Sequence, residues 1–248
     1  MLGDRMAVPA HAGRRAKRIA LLNSKGGTGK STIAMNLAAY YSARNVPTAI
    51  YDFDPQESSA TWLCERPGTS KPITGVTAAR KPEEGTTRTW QLRAPDETRR
   101  IILDTPAGLA GEQLREIVRC VDSIVIPVVP SPLDSRATAQ FVQELLVEGK
   151  ARDHKVRIAV VANRFRHDSR PCPALSRFLD ALRIPTAAVL SESSLYLQAA
   201  ERGMGIHEMP LAEARSEQRN WRPLVRWLEA GHAQRARPVG AERLRFAS

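Results

Sequence analysis

The sequence predicts a single-domain α/β fold in which a mostly parallel β-sheet is flanked by helices. Predicted strands alternate with predicted helices along the chain, and the strands are apolar throughout instead of alternating apolar with polar residues. Such strands are typical of a parallel sheet that is covered by helices on both faces. The length of 248 residues, 42% of them apolar, suffices for one large domain with a sizeable core.

In the N-terminal part, strands are predicted at 19–23 (IALLN), 47–54 (PTAIYDFD) and 99–108 (RRIILDTPAG), the last of which runs into a loop. Apolar residues recur at helical spacing from Ser31 onward, which predicts a helix directly after the first strand. A second helix is predicted at 58–63, with a serine near its start as the cap. Residues 65–99 are punctuated by proline and glycine, which predicts irregular structure with short strands at 73–79 and 87–94.

The C-terminal part continues the alternation and ends in a polar tail. Predicted strands are 123–131, 155–165 and 185–190, and predicted helices are 112–121, 134–148, 173–182, 194–203 and 221–231. We expect residues 1–17 to form a flexible basic arm and 18–230 to form the folded domain. Residues 231–248 are basic and have little to bury, so we expect a disordered tail.

Composition argues against several classes of protein. No run approaches 18 uninterrupted apolar residues, so no membrane span is expected. The N-terminal segment lacks the apolar block of a secretory signal. The three cysteines, Cys64, Cys120 and Cys172, are far apart and odd in number. They fit reduced core thiols in a cytoplasmic protein better than a disulfide framework or a metal site.

The chain is strongly basic, with a formal net charge of +11 and a pI near 10.2. Such an excess favours a polyanionic partner, either nucleic acid or anionic lipid. Arginine dominates the C-terminal part, where Lys155 is the only lysine after Lys150. The alternative is that the arginine content reflects a compositional bias and a solvated surface.

A glycine-rich phosphate loop follows the first predicted strand. The usual pattern is G-x-x-x-x-G-K-[ST], and here Ser24 stands at the first glycine and is followed by an additional lysine. The glycines let backbone N–H groups point at phosphate oxygens, and the helix N-terminus adds its dipole. The residues expected to bind the nucleotide are Lys25, Gly26, Gly27, Thr28, Gly29, Lys30, Ser31 and Thr32. Lys30 would reach the β- and γ-phosphates, and Ser31 would ligate Mg²⁺.

Acidic residues stand where the next two buried strands end. Asp52 and Asp54 are alternate residues, which share a face in an extended strand. Two carboxylates facing a phosphate loop suit Mg²⁺ positioning and the orientation of an attacking water, although the pair could instead cap the turn into the next helix. Asp104 closes the apolar run of the strand at 99–108, the pattern of the second Mg²⁺-positioning element of phosphate-loop NTPases. The predicted metal-binding residues are Ser31, Asp52 and Asp104.

With these elements in place, the chain resembles the ParA/MinD group of deviant Walker ATPases. The resemblance rests on five motifs: KGGTGKST (25–32), DFDPQ (52–56), LDTPAG (103–108), VVPSPLDSRA (128–137) and VAN (161–163). It implies a P-loop NTPase fold and makes 18–230 a P-loop ATPase domain that uses ATP and Mg²⁺. Within the group, the chain is most similar to small ParA-like members that position cargo, including McdA-like carboxysome-distribution ATPases.

The resemblance also implies roles for individual residues. Lys25 would be the signature lysine, which reaches across an ATP-bridged homodimer to the partner's nucleotide, while Lys30 serves its own. Asp54 would orient the hydrolytic water, so Lys25, Lys30 and Asp54 are the expected catalytic residues. Asn163 would contact the adenine, with Arg164 among the nucleotide-binding residues, and Pro130 to Asp134 would lie near the nucleotide and the dimer face.

The implied activity is that of a cytoplasmic, nucleoid-associated ATPase that binds DNA nonspecifically as an ATP dimer. A cargo-linked partner protein would stimulate hydrolysis, and the cargo would be a plasmid, a chromosome or a protein organelle such as the carboxysome. Four arginines recur at steps of three or four residues and form a candidate DNA-binding ridge: Arg215, Arg219, Arg222 and Arg226. A solvated face remains the alternative for this ridge.

Other functions stay open at this point. The predicted helix at 221–231 carries an apolar stripe, so a MinD-like membrane-cycling ATPase is one alternative, although the same stripe fits a helix packed on the sheet, and membrane binding is the less favoured reading. A metabolic phosphate-loop enzyme such as a ligase is a second alternative. A nucleotide-dependent scaffold without turnover is a third, and Asp54 argues against it.

Overall fold

The computed structural model describes residues 16–77, 93–166 and 172–230. The predicted arm, the predicted tail and most of the predicted strand at 87–94 lie outside these residues, although Lys17, the last residue of the predicted arm, already belongs to a strand. Within the described part, no helix is both long and apolar enough to cross a membrane.

Seven strands form one sheet in the order β3-β2-β4-β1-β5-β6-β7, and every pair of neighbouring strands is parallel. This arrangement confirms the predicted fold class. The strands are β1 (Lys17–Leu21), β2 (Thr48–Asp52), β3 (Thr74–Thr77), β4 (Arg100–Asp104), β5 (Ser123–Val128), β6 (Arg157–Phe165) and β7 (Thr186–Ser191). Because β1 lies between β4 and β5, the loops that follow these three strands meet at one edge of the sheet, where open α/β proteins bind ligands.

Eight helices connect the described strands or follow them. They are α1 (Lys30–Ser42), α2 (Ser58–Cys64), α3 (Gly111–Cys120), α4 (Pro132–Val147), α5 (Pro173–Ala181), α6 (Leu195–Glu201), α7 (Leu211–Asn220) and α8 (Arg222–Glu229). Helices α3, α4 and α5 bury their apolar residues against one face of the sheet. Helices α1, α2, α6, α7 and α8 cover the other face. The core therefore has two layers, and the sheet is buried on both sides, as its apolar strands predict.

The last helix packs on the sheet through its apolar stripe. Trp221, Leu224 and Leu228 are buried in the layer that covers β7, and Val225 is also buried. Arg157 donates from its guanidinium to the carbonyl oxygens of Trp227 and Ala230 and so caps the C-terminal end of α8. The apolar stripe of the last helix is therefore buried within the domain.

Several local expectations are corrected by the structure. Helix α7 was not predicted, because its only buried residues are Ala214 and Glu217 and an apolar period is missing. No serine caps α2: the capping position is Glu57, which makes no side-chain capping bond. The three cysteines are free, as expected, but Cys64 is exposed and is not a core thiol.

Candidate functional site

The phosphate loop, residues 24–31, lies between β1 and the first turn of α1. Gly27 and Gly29 have φ angles of +73° and +92°, a region that glycine enters at little cost. Gly29 occupies the capping position of α1, and no side chain caps the helix. The N–H groups of the first turn therefore have no side-chain acceptor and, together with the helix dipole, form an anion-binding site.

The two lysines of the phosphate loop lie in different surroundings. Lys30 is buried, with 6% of its surface exposed, and its Nζ donates to the carbonyl oxygen of Lys25 at 3.4 Å. Burial lowers the pKa of Lys30, while the nearby carboxylates of Asp104 and Asp54 oppose that shift. The side chain of Lys25 is instead 47% exposed, and its Nζ forms an ion pair with Asp134 at 2.6 Å. One lysine thus faces into the loop, and the other lies at its rim.

Asp104, the last residue of β4, is fully buried beside the phosphate loop. Its Oδ2 accepts a hydrogen bond from Ser59 at 2.6 Å, whereas its Oδ1 is buried and accepts none. Burial raises the pKa of Asp104 to about 6, against the lowering effect of the Ser59 and Ser31 hydroxyls. An unsatisfied buried carboxylate oxygen is costly unless a cation or donor approaches it.

This arrangement fits Mg²⁺ held together with a nucleotide. Among the described residues, no three acidic, histidine or cysteine side chains form a cluster that could hold a metal without further ligands. Mg²⁺ commonly takes one or two protein ligands and completes its shell with phosphate oxygens and water. Ser31, at the start of α1, and Asp104, with its free Oδ1, supply ligands of that kind.

Asp52 and Asp54 both engage the turn that follows β2. Asp52 Oδ1 accepts from the backbone N–H of Asp54 at 3.0 Å, and Asp52 Oδ2 accepts from that of Ala60 at 3.0 Å. Burial raises the pKa of Asp52, and these backbone donors counteract the shift. Such bonding is what the alternative of a turn-capping carboxylate predicts, so the role of Asp52 in metal binding stays a prediction.

Asp54 lies beyond the strand, because β2 ends at Asp52. The alternation of side chains along a strand therefore does not decide where Asp54 points. Its Oδ1 accepts from the backbone N–H of Gln56 at 3.0 Å, and the residue is half-buried. Its carboxylate opposes the lowering of the Lys30 pKa by burial, as expected for a charge that lies near that lysine.

Asn163, near the end of β6, packs directly against the phosphate loop. Its side-chain amide donates to the carbonyl oxygen of Thr28 at 2.8 Å, and a Cβ on Gly29 would collide with that amide. Arg164 is exposed with a φ of 53°, and Pro130 is half-buried at the end of the loop after β5. The structure thus brings Asn163 to the loop, while the adenine contact of these residues stays a prediction.

Three further residues support the loop and were not singled out in the sequence. Asn23 donates from Nδ2 to the carbonyl oxygen of Pro127 at 2.7 Å and accepts at Oδ1 from the N–H of Lys25 at 3.3 Å. Thr105 donates to the carbonyl oxygen of Leu21 at 2.6 Å. Ser59 donates to Asp104, as described above. Apart from the contact between Asn23 and Lys25, their partners lie in other strands or loops, so no local pattern could identify them.

The arginine ridge, Arg215, Arg219, Arg222 and Arg226, lies on α7 and α8. All four residues are exposed. Within the described part of the chain, none of their side chains forms an ion pair or hydrogen bond. The buried residues of α8 are apolar, and those of α7 are Ala214 and Glu217, so both helices turn these residues inward and the four arginines to solvent.

Comparison with known proteins gives consistent results. Residues 19–206 match the CobQ/CobB/MinD/ParA nucleotide binding domain. The chain is 32% identical over 187 residues to the maintenance of carboxysome distribution protein A of Gloeobacter kilaueensis, covering 71% of this chain and 82% of that protein. It is 25% identical over 199 residues to the protein of the same name from Halothiobacillus neapolitanus, covering 80% and 90% of the two chains. The McdA–ATP complex from Cyanothece superposes with a TM-score of 0.60 at 14% identity, over 86% of this chain and 98% of that one.

Proposed function

The chain belongs to the CobQ/CobB/MinD/ParA nucleotide-binding family, and from this premise we propose that it is a ParA-like positioning ATPase that cycles on DNA. The expected P-loop NTPase fold of the ParA/MinD type is confirmed. In the proposed cycle, ATP and Mg²⁺ drive formation of a homodimer, the dimer binds DNA without sequence preference, and a cargo-linked partner protein stimulates hydrolysis.

The observation that carries the proposal is the separation of the two loop lysines. Lys30 is buried within the loop, where its charge serves the phosphates of its own nucleotide. Lys25 is about half exposed at the rim, where a second protomer can approach. An ordinary phosphate loop needs only the inner lysine, so the outer one supports a site that two protomers complete.

Nucleotide binding draws on the features of the loop itself. The uncapped N–H groups of α1 and the buried Lys30 would hold the phosphates, and Ser31 and Asp104 would hold Mg²⁺. The ion, when bound, would neutralise charge that develops on the phosphate oxygens. Asp54 lies on the same side and would orient the attacking water, with Ser59 keeping Asp104 in place.

The arginine ridge supplies a DNA-binding surface in this proposal. Its four guanidinium groups are exposed and unpaired within the described residues, so binding phosphate would cost no existing ion pair. Arginines that neutralise backbone phosphates give binding that is independent of sequence and sensitive to salt. The burial of the α8 stripe favours this role over the MinD-like membrane cycle, because Leu224, Val225 and Leu228 are already used in the core.

We further propose a protein or DNA cargo and a nucleoid-associated place in the cytoplasm. Both curated relatives reported above are named for carboxysome distribution, which makes a protein organelle the first candidate cargo. Release from DNA after hydrolysis would leave a gradient of bound dimer, along which the cargo moves. A plasmid or chromosome is the second candidate, since partition ATPases share the family.

Retention on DNA tests the proposal directly. The wild type and the Lys25→Ala and Asp54→Ala variants are applied to immobilised duplex DNA with ATP or ADP across a range of salt. We expect retention of the wild type with ATP only, loss of retention for Lys25→Ala, and prolonged retention for Asp54→Ala because hydrolysis ends the bound state.

A matched lysine serves as the control for this experiment. Lys71 is exposed and precedes β3, at the amino-terminal end of that strand, whereas the phosphate loop lies at the carboxyl ends of the parallel strands. Lys71→Ala therefore removes the same charge away from the site. It should be retained like the wild type. Equal retention with ADP and ATP would show that the bound nucleotide does not control DNA binding, and it would contradict the proposal.

A further inference from the structure

We propose that a hydrogen-bond relay, formed by Thr32, Asn36, Ile206 and Gln218, couples the phosphate loop to the arginine ridge through the connector, residues 203–209, between α6 and α7. The inference rests on the proposed function, in which nucleotide and DNA bind to the same protomer. It goes beyond that function because it names the residues through which the two sites affect each other. Asn36 and Gln218 are the positioning residues of this relay.

The relay starts in the first turn of α1, directly after the phosphate loop. Asn36 lies one turn further along the helix, and its Nδ2 donates to the carbonyl oxygen of Thr32 at 2.8 Å. Its Oδ1 accepts from the backbone N–H of Ile206 at 2.7 Å. Asn36 is only 4% exposed, and Ile206 is fully buried. One side chain, shielded from water, therefore ties the start of α1 to the connector.

The relay continues from the connector to α7. Gln218 Nε2 donates to the carbonyl oxygen of Ile206 at 2.9 Å and to that of Met209 at 3.1 Å. Ile206 is thus held at its N–H by α1 and at its C=O by α7. Gln218 lies on α7 between Arg215 and Arg219, which form the first half of the ridge. The position of these two arginines therefore depends on how Gln218 is held.

Packing around the connector reinforces the relay. His207 lies edge-on between Tyr40 of α1 and Trp221, which stands between α7 and α8, with ring centroids 4.8 and 5.8 Å away. A Cβ on Gly205 would come within 2.3 Å of the Ala39 Cβ, so the backbone of the connector lies directly on α1. The connector therefore has little room to move against that helix.

The connector also contacts α2, the helix that follows the turn held by Asp52. Trp62 Nε1 donates to the carbonyl oxygen of Met204 at 3.2 Å. Arg66 donates to the carbonyl oxygen of Gly203 at 3.1 Å. The connector is therefore bonded to both of the helices that begin beside the nucleotide site, α1 and α2.

The size of the expected coupling follows from the hydrogen bonds of the relay. A buried N–H or C=O group without a partner is costly, so such bonds are kept when the elements around them move. A displacement of α1 on nucleotide binding is then passed to the connector and to α7. One hydrogen bond changes an equilibrium constant by about two- to tenfold. We expect the loss of one link to remove a factor of this size from the coupling.

Thermodynamic linkage provides the test, because coupling between two binding sites is reciprocal. The dissociation constant of a non-hydrolysable ATP analogue with Mg²⁺ is measured by calorimetry on the full chain, without DNA and with saturating duplex DNA. The ratio of the first value to the second is the coupling factor. DNA should tighten binding of the analogue to the wild type.

Gln218→Met is the first variant, since methionine keeps the length of the side chain and removes its hydrogen bonds to the connector. We expect its coupling factor to be about two- to tenfold lower than that of the wild type. The dissociation constant without DNA should stay at the wild-type value, which distinguishes a loss of coupling from a damaged nucleotide site.

Asn36→Leu breaks the relay at its other end with a side chain of similar size. The links act in series, so the double variant with Gln218→Met should have the same coupling factor as Gln218→Met alone. Two losses that multiply would instead show independent effects and would overturn the relay. Should Asn36→Leu not fold, the result for Gln218→Met decides alone.

Gln143→Met is the matched control. Gln143 is exposed, makes no side-chain hydrogen bond among the described residues and belongs to α4, which covers the opposite face of the sheet. Its coupling factor should equal that of the wild type. Circular dichroism melting checks that each variant is folded.

The outcomes separate the relay from the proposed function. If DNA tightens binding of the analogue to the wild type and to Gln218→Met by the same factor, the relay is wrong. A loss of DNA affinity that is equal with and without the analogue would also overturn it, because Gln218 would then only shape the ridge. If DNA leaves the affinity of the wild type for the analogue unchanged, the proposed function itself fails, and the relay with it.

Discussion

The side-chain amide of Asn163 donates to the carbonyl oxygen of Thr28 at 2.8 Å and so joins the end of β6 to the phosphate loop. The two residues meet because β6 is separated from β1 only by β5. The amide lies so close to Gly29 that a side chain there has no room. The shape of the loop therefore depends on a residue far from it in sequence.

Replacement of Gly29 by alanine should destabilise the protein and weaken nucleotide binding. Gly29 has a φ of +92°, and the added Cβ would meet the Asn163 amide, so strain and displacement act together. We expect a loss of about 2 kcal/mol or more in the free energy of unfolding, measured with urea. Gly26→Ala is the control for stability alone, because a Cβ there meets no atom within 4 Å. Equal unfolding midpoints for the two variants would contradict the prediction.

Asp104→Asn should raise stability at neutral pH in the absence of nucleotide and metal. The pKa of Asp104 is raised by burial from 3.8 to about 6, so the folded state binds the proton more tightly than the unfolded state. Stability from this group is then present below pH 3.8 and is lost as pH rises through 6. The cost of ionisation at pH 7 is about 3 kcal/mol, which asparagine avoids.

The measurement is the unfolding free energy of Asp104→Asn relative to the wild type as a function of pH. The advantage of the variant should shrink as the pH is lowered through 6 and disappear below 3.8, where the wild-type carboxyl is protonated in both states. Asp180→Asn, at an exposed site on α5, should show no such pH-dependent difference. If the difference in unfolding free energy between Asp104→Asn and the wild type stays constant with pH, the ionisation of Asp104 is not its origin.

Substitution in the arginine ridge should reduce the salt dependence of DNA binding. Arg219→Gln with Arg222→Gln removes four positive charges from a dimer, and each lost phosphate contact lowers the slope of log K against log salt by about 0.9. The slope should thus fall by about 3 to 4. It is measured by fluorescence anisotropy with labelled duplex DNA and ATP.

A second arginine pair provides the control for this slope. Arg115 and Arg119 lie on α3, on the opposite face of the sheet, and both pair with Glu112. Arg115→Gln with Arg119→Gln makes the same change in net charge. If both double variants lower the slope equally, the effect is one of net charge and the ridge is not the binding surface.

Glu208→Ala should be strongly destabilising. Arg66 and Glu208 form a bidentate ion pair at 2.7 and 3.1 Å, and each side chain is only 8% exposed. Loss of Glu208 leaves a buried guanidinium without its counter-charge, which typically costs about 3–5 kcal/mol. Glu112→Ala removes an exposed partner of two arginines and should leave the urea midpoint unchanged. Similar midpoints for both variants would show that burial does not set the strength of the Arg66 pair.

The sequence by itself determined the architecture and the centre of the site. Apolar strands, a glycine-rich loop and acids at strand ends are local patterns, and a parallel sheet brings the ends of its strands to one edge. Lys30, Ser31 and Asp104 are therefore expected at one place from these patterns, whereas the expectation for Asn163 came from the family resemblance. Helix α7 was missed because Ala214 and Glu217 do not form an apolar period.

Only the tertiary structure decided which partner each polar group has. Ser59 binds Asp104 instead of capping α2, Asp52 holds the turn after β2, and Lys25 pairs with Asp134. These contacts join segments distant in the chain, and their distances depend on strand order and on the packing of helices over the sheet. Residue types and spacing carry no such information, because many pairings satisfy the same pattern and the fold realises one of them.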